Sequence, residues 1–404
     1  RFREQARGHP AFEAVARIHI AQEQLTHGEA AEPAADEVEA ALAIGLPPSR
    51  ATNAGFLAIH TLRVAERYEL PMRLLDLGLD GARREGHAAR QGLIHGQRAA
   101  IALAKGSLHE AQIEAETGLR IVEERHFAFP QLLSVAIAVH IERDELDAAE
   151  ALVERGEGLD LSQDRIYLDN YMTARGRLRI AQGRTQEGAS DLLWCGQRLE
   201  ARGIYWPSDW KPRAASALAT LGEHGRAEAL AREYLALTRK VGVPGALGSA
   251  LRAMAAATRD GDSLALLTEA TTILQRSAAQ LELAYALADL GGELSRAGRR
   301  REGRDAERRA IELAGRCGAI ALVDAARTEL RAGPGRRARL ELTGPDALTP
   351  AERRVCRQAA QGGTNREIAQ ALFVTEKTVE RHLSSAYQKL RIRSRFQIAA
   401  AIAD

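Results

Sequence analysis

The residues with most to do chemically lie in one stretch near the C-terminus. After Thr375, the positions Lys377, Glu380, Arg381, Ser384 and Gln388 recur at offsets of three and four, which sets them along one side of a helix. Val379, Leu383, Ala386, Tyr387 and Leu390 recur at helical spacing on the other side. Such a helix has one face to bury and one to present. The chemistry on offer is hydrogen bonding and charge rather than bond making. Thr375, Lys377 and Thr378 open the helix, where backbone N–H groups and hydroxyls can grip a phosphate. Arg381 has the forked donor geometry that suits guanine, and Glu380 can accept from cytosine or pair with a neighbour. Lys389, Arg391, Arg393 and Arg395 add cations suited to a nucleic-acid backbone, although Lys389 also fits a plain surface charge. His382 reads as a packed or phosphate-touching histidine, not a catalyst.

The elements that must position this stripe carry clear start signals. Thr349-Pro350-Ala351-Glu352 combines a Thr cap, a proline at the first helical position and a Glu three residues on. Gly362-Gly363 stops that helix. Thr364-Asn365-Arg366-Glu367 is a second capping box and opens a helix to Leu372; Phe373-Val374 form a tight turn; Thr375 caps a third helix reaching about Leu390; Ser394-Arg395-Phe396-Gln397 is a third box. Residues 348–404 therefore read as four short helices. A tight turn joining two helices, with a polar stripe on the second, is the shape that enters a major groove. The segment holds ten Lys or Arg against five Asp or Glu, a net of +5, while the remainder is at −3; basic charge gathers where a polyanion would bind.

The ordered runs Leu348–Arg353, Thr364–Leu372, Thr375–Leu383, Lys389-Leu390 and Arg393–Arg395 together resemble the LuxR-type helix-turn-helix over essentially all of 348–404. The resemblance implies base-edge contacts from Glu380, Arg381 and Ser384. It implies phosphate contacts from Thr364, Asn365, Thr375, Lys377, Thr378, His382 and Lys389, and a dimer-forming last helix over 394–403. One departure is Arg391, where the family often has a small residue as helix three ends.

Upstream, self-similarity is the most informative signal. A turn followed by a helix opening recurs at Gly106, Asp144, Gly183, His224, Gly261 and Gly298, at separations of 38, 39, 41, 37 and 37 residues, with weaker copies at Gly28 and Tyr68. One helix pair per period fits that length, and a pair that cannot bury its apolar face alone stacks on its neighbours. The fold class expected is all-α: a tetratricopeptide-like solenoid of about eight helix pairs over 1–332, a Gly- and Pro-marked linker over 333–347, and the helix-turn-helix domain over 348–404. The match to tetratricopeptide repeats is loose, because the period exceeds 34.

Two features of the array leave alternatives open. Ile204–Trp210 gathers two of the three tryptophans and either lines a ligand site or packs as an inter-repeat loop. Arg299, Arg300, Arg301, Arg304, Arg308 and Arg309 either grip phosphate or form a solvated face paired with Glu302, Asp305 and Glu307. The linker arginines 336, 337 and 339 either touch DNA backbone or belong to a solvated tether.

Composition narrows the class. Of 404 residues, 45% are hydrophobic, 27% charged and 4% aromatic, the vocabulary of a soluble helical protein. No apolar run is long enough to span a membrane. Cys195, Cys317 and Cys356 are isolated, so neither a disulfide framework nor a zinc site is expected, and a cytoplasmic, nucleoid-associated location fits. No constellation suited to catalysis or metal binding is legible. A repeat array followed by this domain resembles the C-terminal part of the large ATP-binding LuxR-type regulators, which include the maltose-type activators. The chain lacks GxxxxGK[ST], so no cofactor is expected here, and ATP would belong to a module upstream of Arg1. A first residue other than Met reads as a fragment or processed form. The function expected is that of a sequence-specific transcriptional regulator on double-stranded DNA, self-associating through 394–403, with a peptide, protein or small-molecule effector on the array. The alternative is a helical-repeat scaffold that uses the last domain for protein docking.

Overall fold

The computed structural model describes residues 9–45, 51–161, 167–258, 262–332, 348, 350–372, 375–390, 392 and 394–402. Among these residues the chain is helical and has no strand. It divides between Arg327 and Thr328 into two compact units.

The first unit is a series of helix pairs: α1 (Pro10–Thr26) with α2 (Ala31–Ile44), α3 (Ala51–Val64) with α4 (Glu69–Arg84), α5 (Ala88–Lys105) with α6 (Leu108–Ile121), and α7 (Phe129–Glu142) with α8 (Leu146–Arg155). The series continues with α9 (Leu168–Ala181) and α10 (Thr185–Ala201), α11 (Trp210–Thr220) and α12 (His224–Val241), α13 (Pro244–Ala257) and α14 (Ser263–Leu274), and α15 (Gln280–Arg296) and α16 (Arg300–Cys317); α17 (Ile320–Ala332) follows and carries the chain past the boundary at Arg327. From α1 to α16 each helix packs on its chain neighbours, and first helices of successive pairs touch one another: α1 with α3, α5 with α7, α7 with α9, α11 with α13, α13 with α15.

A repeated backbone device sets the pairing. Gly28, Glu66, Gly106, Asp144, Gly183, Gly222 and Gly298 all have left-handed backbone, with φ between 59° and 83°. At each, the residue's own N–H bonds the carbonyl three back, and the next N–H bonds the carbonyl five back. This closing motif satisfies the last helix carbonyls and turns the chain toward the next helix. Two turns fall two residues before the copies expected at Tyr68 and His224. Glu66 hides its turn because it is not glycine, and helical Gly225 draws the eye from Gly222. The copy at Gly261 lies outside the described residues.

Small residues let paired helices close up. A methyl on Gly176 would stand 3.0 Å from the Gly188 carbonyl oxygen, and one on Gly303 would stand 2.8 Å from that of Gly291. Around these approaches runs a continuous apolar core from α5 to α17, in which Phe129, Leu132, Leu133, Ile137 and Tyr171 are fully buried. The series also returns onto itself. The Tyr205 N–H donates to the Thr26 carbonyl at 2.7 Å, and Glu66 accepts from the Gly245 N–H at 2.6 Å and the Ser277 hydroxyl at 2.7 Å.

Both open features of the array resolve into parts. Trp210 is buried against Gly196, while Trp206 lies against the His60 ring at 4.9 Å between centroids and Tyr205 is exposed. At the start of α16, Arg299 pairs with Glu302 at 2.6 Å and Arg308 with Asp305 at 3.2 Å, all on exposed side chains, as a solvated face requires, whereas Glu307, expected on the same face, is buried. The linker arginines lie outside the described residues.

The second unit contains α18 (Pro350–Ala360), α19 (Asn365–Leu372), α20 (Glu376–Leu390), a 3-10 turn (Arg395–Gln397) and α21 (Ile398–Ile402). Its core joins Leu348, Val355, Cys356, Ala359, Ile368, Ala369, Val379, Leu383, Ala386, Leu390 and Ile398. The fourth helix expected from Ser394 begins instead as a 3-10 turn, with the capping box of Ser394 and Gln397 intact.

Candidate nucleic-acid interface

α20 is amphipathic because its sequence repeats at helical spacing, and the core selects which face turns inward. Val379, Leu383, Ala386 and Leu390 are buried. Lys377, Glu380 and Ser384 are exposed, with Arg381 half-buried beside them. Thr375 and Thr378 close the helix start: the Thr375 hydroxyl oxygen accepts from the Thr378 N–H at 3.2 Å, and the two hydroxyls lie 2.8 Å apart. The side chain of Gln388 and all of Phe373, Val374, Arg391 and Arg393 lie outside the described residues, as does the Thr349 cap.

α19 is started by reciprocal bonds. The Glu367 carboxylate accepts from the Thr364 N–H at 2.8 Å and its hydroxyl at 2.9 Å, while the Thr364 oxygen accepts from the Glu367 N–H at 3.3 Å. Those donors hold the Glu367 carboxyl below its usual range. Gly362, with φ 88°, ends α18 with the same closing motif used in the array.

The expected contact residues fall into two groups. Thr364, Thr375, Lys377, Glu380 and Ser384 are exposed, with Thr378 and Arg381 half-buried. The others are engaged within the unit. Lys389 Nζ donates to both oxygens of Glu352 at 2.9 and 2.7 Å, with side-chain exposures of only 12% and 3%. Ser385 donates to the same carboxylate at 2.7 Å. The carboxyl read from the sequence as part of a helix cap thus also clamps the start of α18 to the end of α20. Arg395 donates to Asn365 Oδ1 at 2.8 Å and to the Gly363 carbonyl, which ties the 3-10 turn to the start of α19. His382 is buried, at 8% exposure. The role of Ser385 went unread because a Ser next to Ser384 carries no distinguishing local pattern.

Nucleophilic chemistry finds no footing in the thiols. Cys195, Cys317 and Cys356 are all buried, and burial pushes Cys356 up to about 11 and Cys195 up to about 12, which keeps them protonated.

Residues 346–402 match the family described as bacterial regulatory proteins, luxR family. The spore germination protein GerE of Bacillus subtilis is 48% identical over 50 residues, covering 12% of this chain and 68% of GerE. A Mycobacterium bovis protein named as an HTH-type transcriptional regulator is 41% identical over 81 residues, 20% of this chain. The match spans only 9% of the mycobacterial protein's length. The transcriptional regulatory protein YhcZ of Bacillus subtilis is 46% identical over 52 residues, 13% of this chain and 24% of its own. With the capped helix-turn-helix and its divided third helix inside the matched residues 346–402, and a 48% identity that covers 68% of GerE, the chain belongs to the LuxR family of bacterial regulatory proteins.

Proposed function

We propose that the chain is a transcriptional regulator that binds double-stranded DNA by laying α20 in the major groove. The observation that carries this reading is the solvent-facing stripe of Lys377, Glu380 and Ser384 on a helix whose opposite face is locked into the core. On this reading Glu380, Arg381 and Ser384 meet base edges. Thr364, Thr375, Lys377 and Thr378 meet phosphates at two helix starts. Asn365, His382, Lys389 and Arg395 act chiefly by holding that surface in shape, because their polar groups or their burial turn them toward the unit itself. Self-association runs through the last turn and α21, where Phe396 is 94% exposed beside exposed Ala399 and Ala400. The array receives the signal, and the protein works in the cytoplasm, where the chromosome is.

Salt-dependent binding to a promoter-bearing duplex tests this. Affinity should fall linearly on a log–log plot, with a slope of about −0.9 per phosphate neutralised. Lys377→Ala should flatten that slope by about 1 for every sequence, while Arg381→Ala should cost about 1–3 kcal/mol and relax preference at one base pair. Binding that is insensitive to salt, or equal for promoter and random DNA at moderate salt, would refute the reading.

A further inference from the structure

Among the described residues, one half-buried cation of the array has no counter-charge. Other arginines reaching into this unit are matched to carboxylates: Arg98 to Glu114 at 2.8 Å, Arg175 to Asp191 at 2.8 Å, Arg177 to Glu142 at 2.7 Å, and Arg252 to Glu282 and Asp289 at 2.6 and 2.8 Å. Burial demands such matching, since an enclosed charge loses its hydration and must recover it elsewhere. Arg63, in the last turn of α3, has no carboxylate within ion-pair distance among the described residues. Its Nε is closed off from water and has no hydrogen-bond partner. The groups that act on it electrostatically are the phenols of Tyr68 and Tyr167, and burial pushes both of these up, so they carry no charge at neutral pH. His60, one turn earlier on the same helix, is held neutral by burial and then by the Arg63 charge.

The surroundings are assembled from segments far apart in the chain. α5 supplies Gln97, whose side-chain N–H donates to the Tyr167 hydroxyl at 2.9 Å. Tyr167 stands at the start of α9 with φ of 71°, a left-handed backbone that a bulky side chain adopts only when its surroundings impose it. The loop before α11 supplies Trp206, against His60. From α1, Gln22 Oε1 accepts the Thr61 hydroxyl at 2.8 Å and lies 3.1 Å from His60 Nδ1. Two neutral phenols and a neutral imidazole thus lie in the electrostatic reach of a single guanidinium, with an amide hydrogen-bonded to one phenol and an indole against the imidazole.

We propose that Arg63 anchors a site inside the array for a small organic anion bearing a carboxylate or phosphate group. The guanidinium supplies the charge and paired donors that planar oxyanions fit. Gln97 and Tyr167 supply neighbouring polar groups, and Trp206 an apolar surface for the rest of the molecule. The inference deepens the reading of the array as a receiver and depends on that reading only for its effect on DNA.

The test uses the full chain at matched ionic strength, with citrate, glucose 6-phosphate, inorganic phosphate and chloride as probes, followed by thermal unfolding and tryptophan fluorescence. A saturable rise in Tm of roughly 3–6 °C at about 100-fold Kd is expected from citrate or from the phosphates, but not from chloride. Response to citrate alone marks a carboxylate ligand, and response to the phosphates alone a phosphorylated one. The fluorescence change should vanish in Trp206→Phe. Arg63→Met should lose at least about tenfold in affinity and Arg63→Lys less, because an ammonium keeps the charge without the fork. Without anion, Arg63→Met should melt at or above the wild-type temperature, whereas Arg177→Met should melt lower, since it strips buried Glu142 of its paired cation. No saturable oxyanion response in the wild-type chain overturns the proposal. So does a response that persists undiminished in both Arg63 variants, or an Arg63→Met chain as unstable as Arg177→Met. An anion that binds through Arg63 yet leaves DNA affinity unchanged upholds the site and refutes the receiver reading.

Discussion

Two lysines on α20, twelve residues apart, should behave in opposite ways when each is replaced by Met. Lys389 lies along Glu352, with Nζ 2.9 and 2.7 Å from its two oxygens and a carboxylate only 3% exposed. With the ammonium removed, the Ser385 hydroxyl still donates to that carboxylate at 2.7 Å but brings no charge. Breaking a buried pair from one side costs about 3–5 kcal/mol. Lys389 keeps 12% of its side-chain exposure, and water reaching the site should bring the cost to about 2–3 kcal/mol. A unit of this size holds only about 3–8 kcal/mol in all, so the loss is large. Amide hydrogen exchange in the full chain reads it locally: the protected amides of α18 and α20 should exchange about 30- to 150-fold faster in Lys389→Met. Lys377→Met should leave exchange unchanged while weakening DNA binding. Adding Glu352→Gln to Lys389→Met should recover much of the lost protection, because the stranded charge is gone. Should Lys389→Met leave exchange within about twofold of wild type and weaken DNA binding as Lys377→Met does, the internal role assigned to this lysine fails.

Three further outcomes follow from the same geometry. His60 is held down at about 3 by burial and by Arg63, so the folded array keeps it neutral while the unfolded chain protonates below about pH 6.5. Stability is therefore complete above that pH and falls as pH drops toward 3. Because the ring is only partly shielded from solvent, the loss should be about 1–2 kcal/mol between pH 6.5 and 5, and His60→Gln should flatten a urea-denaturation profile over that window. Gly196→Ala places a methyl 2.3 Å from the Trp210 ring, and this rigid neighbour should cost about 1–3 kcal/mol in the same assay. Phe396→Asp, at a side chain 94% exposed, should leave the melting temperature unchanged while sedimentation shows loss of self-association; an unchanged assembly would remove α21 from the proposed dimer.

The residues themselves settle a good deal. The alternation of Val379, Leu383, Ala386 and Leu390 with Lys377, Glu380 and Ser384 is a local pattern, and helical periodicity alone converts it into a buried and an exposed face. The caps at Thr364 and Ser394 are equally local, since a hydroxyl and a carboxylate or amide three residues apart can meet only across the first turn of a helix. The repeat period was visible because most of its turns carry glycine, and it slipped by two residues at Glu66, where a left-handed turn is made without one. Partnerships between distant residues required the fold. Lys389 and Glu352 are 37 positions apart and Arg395 and Asn365 are 30 apart, so no spacing rule distinguishes a lysine that clamps two helices from one that waits for phosphate. The setting of Arg63 is more remote still, drawn from α1, α3, α5, α9 and the loop before α11. Whether a charge is matched depends on every segment the chain brings around it, and that is a property of the folded array rather than of any window along it.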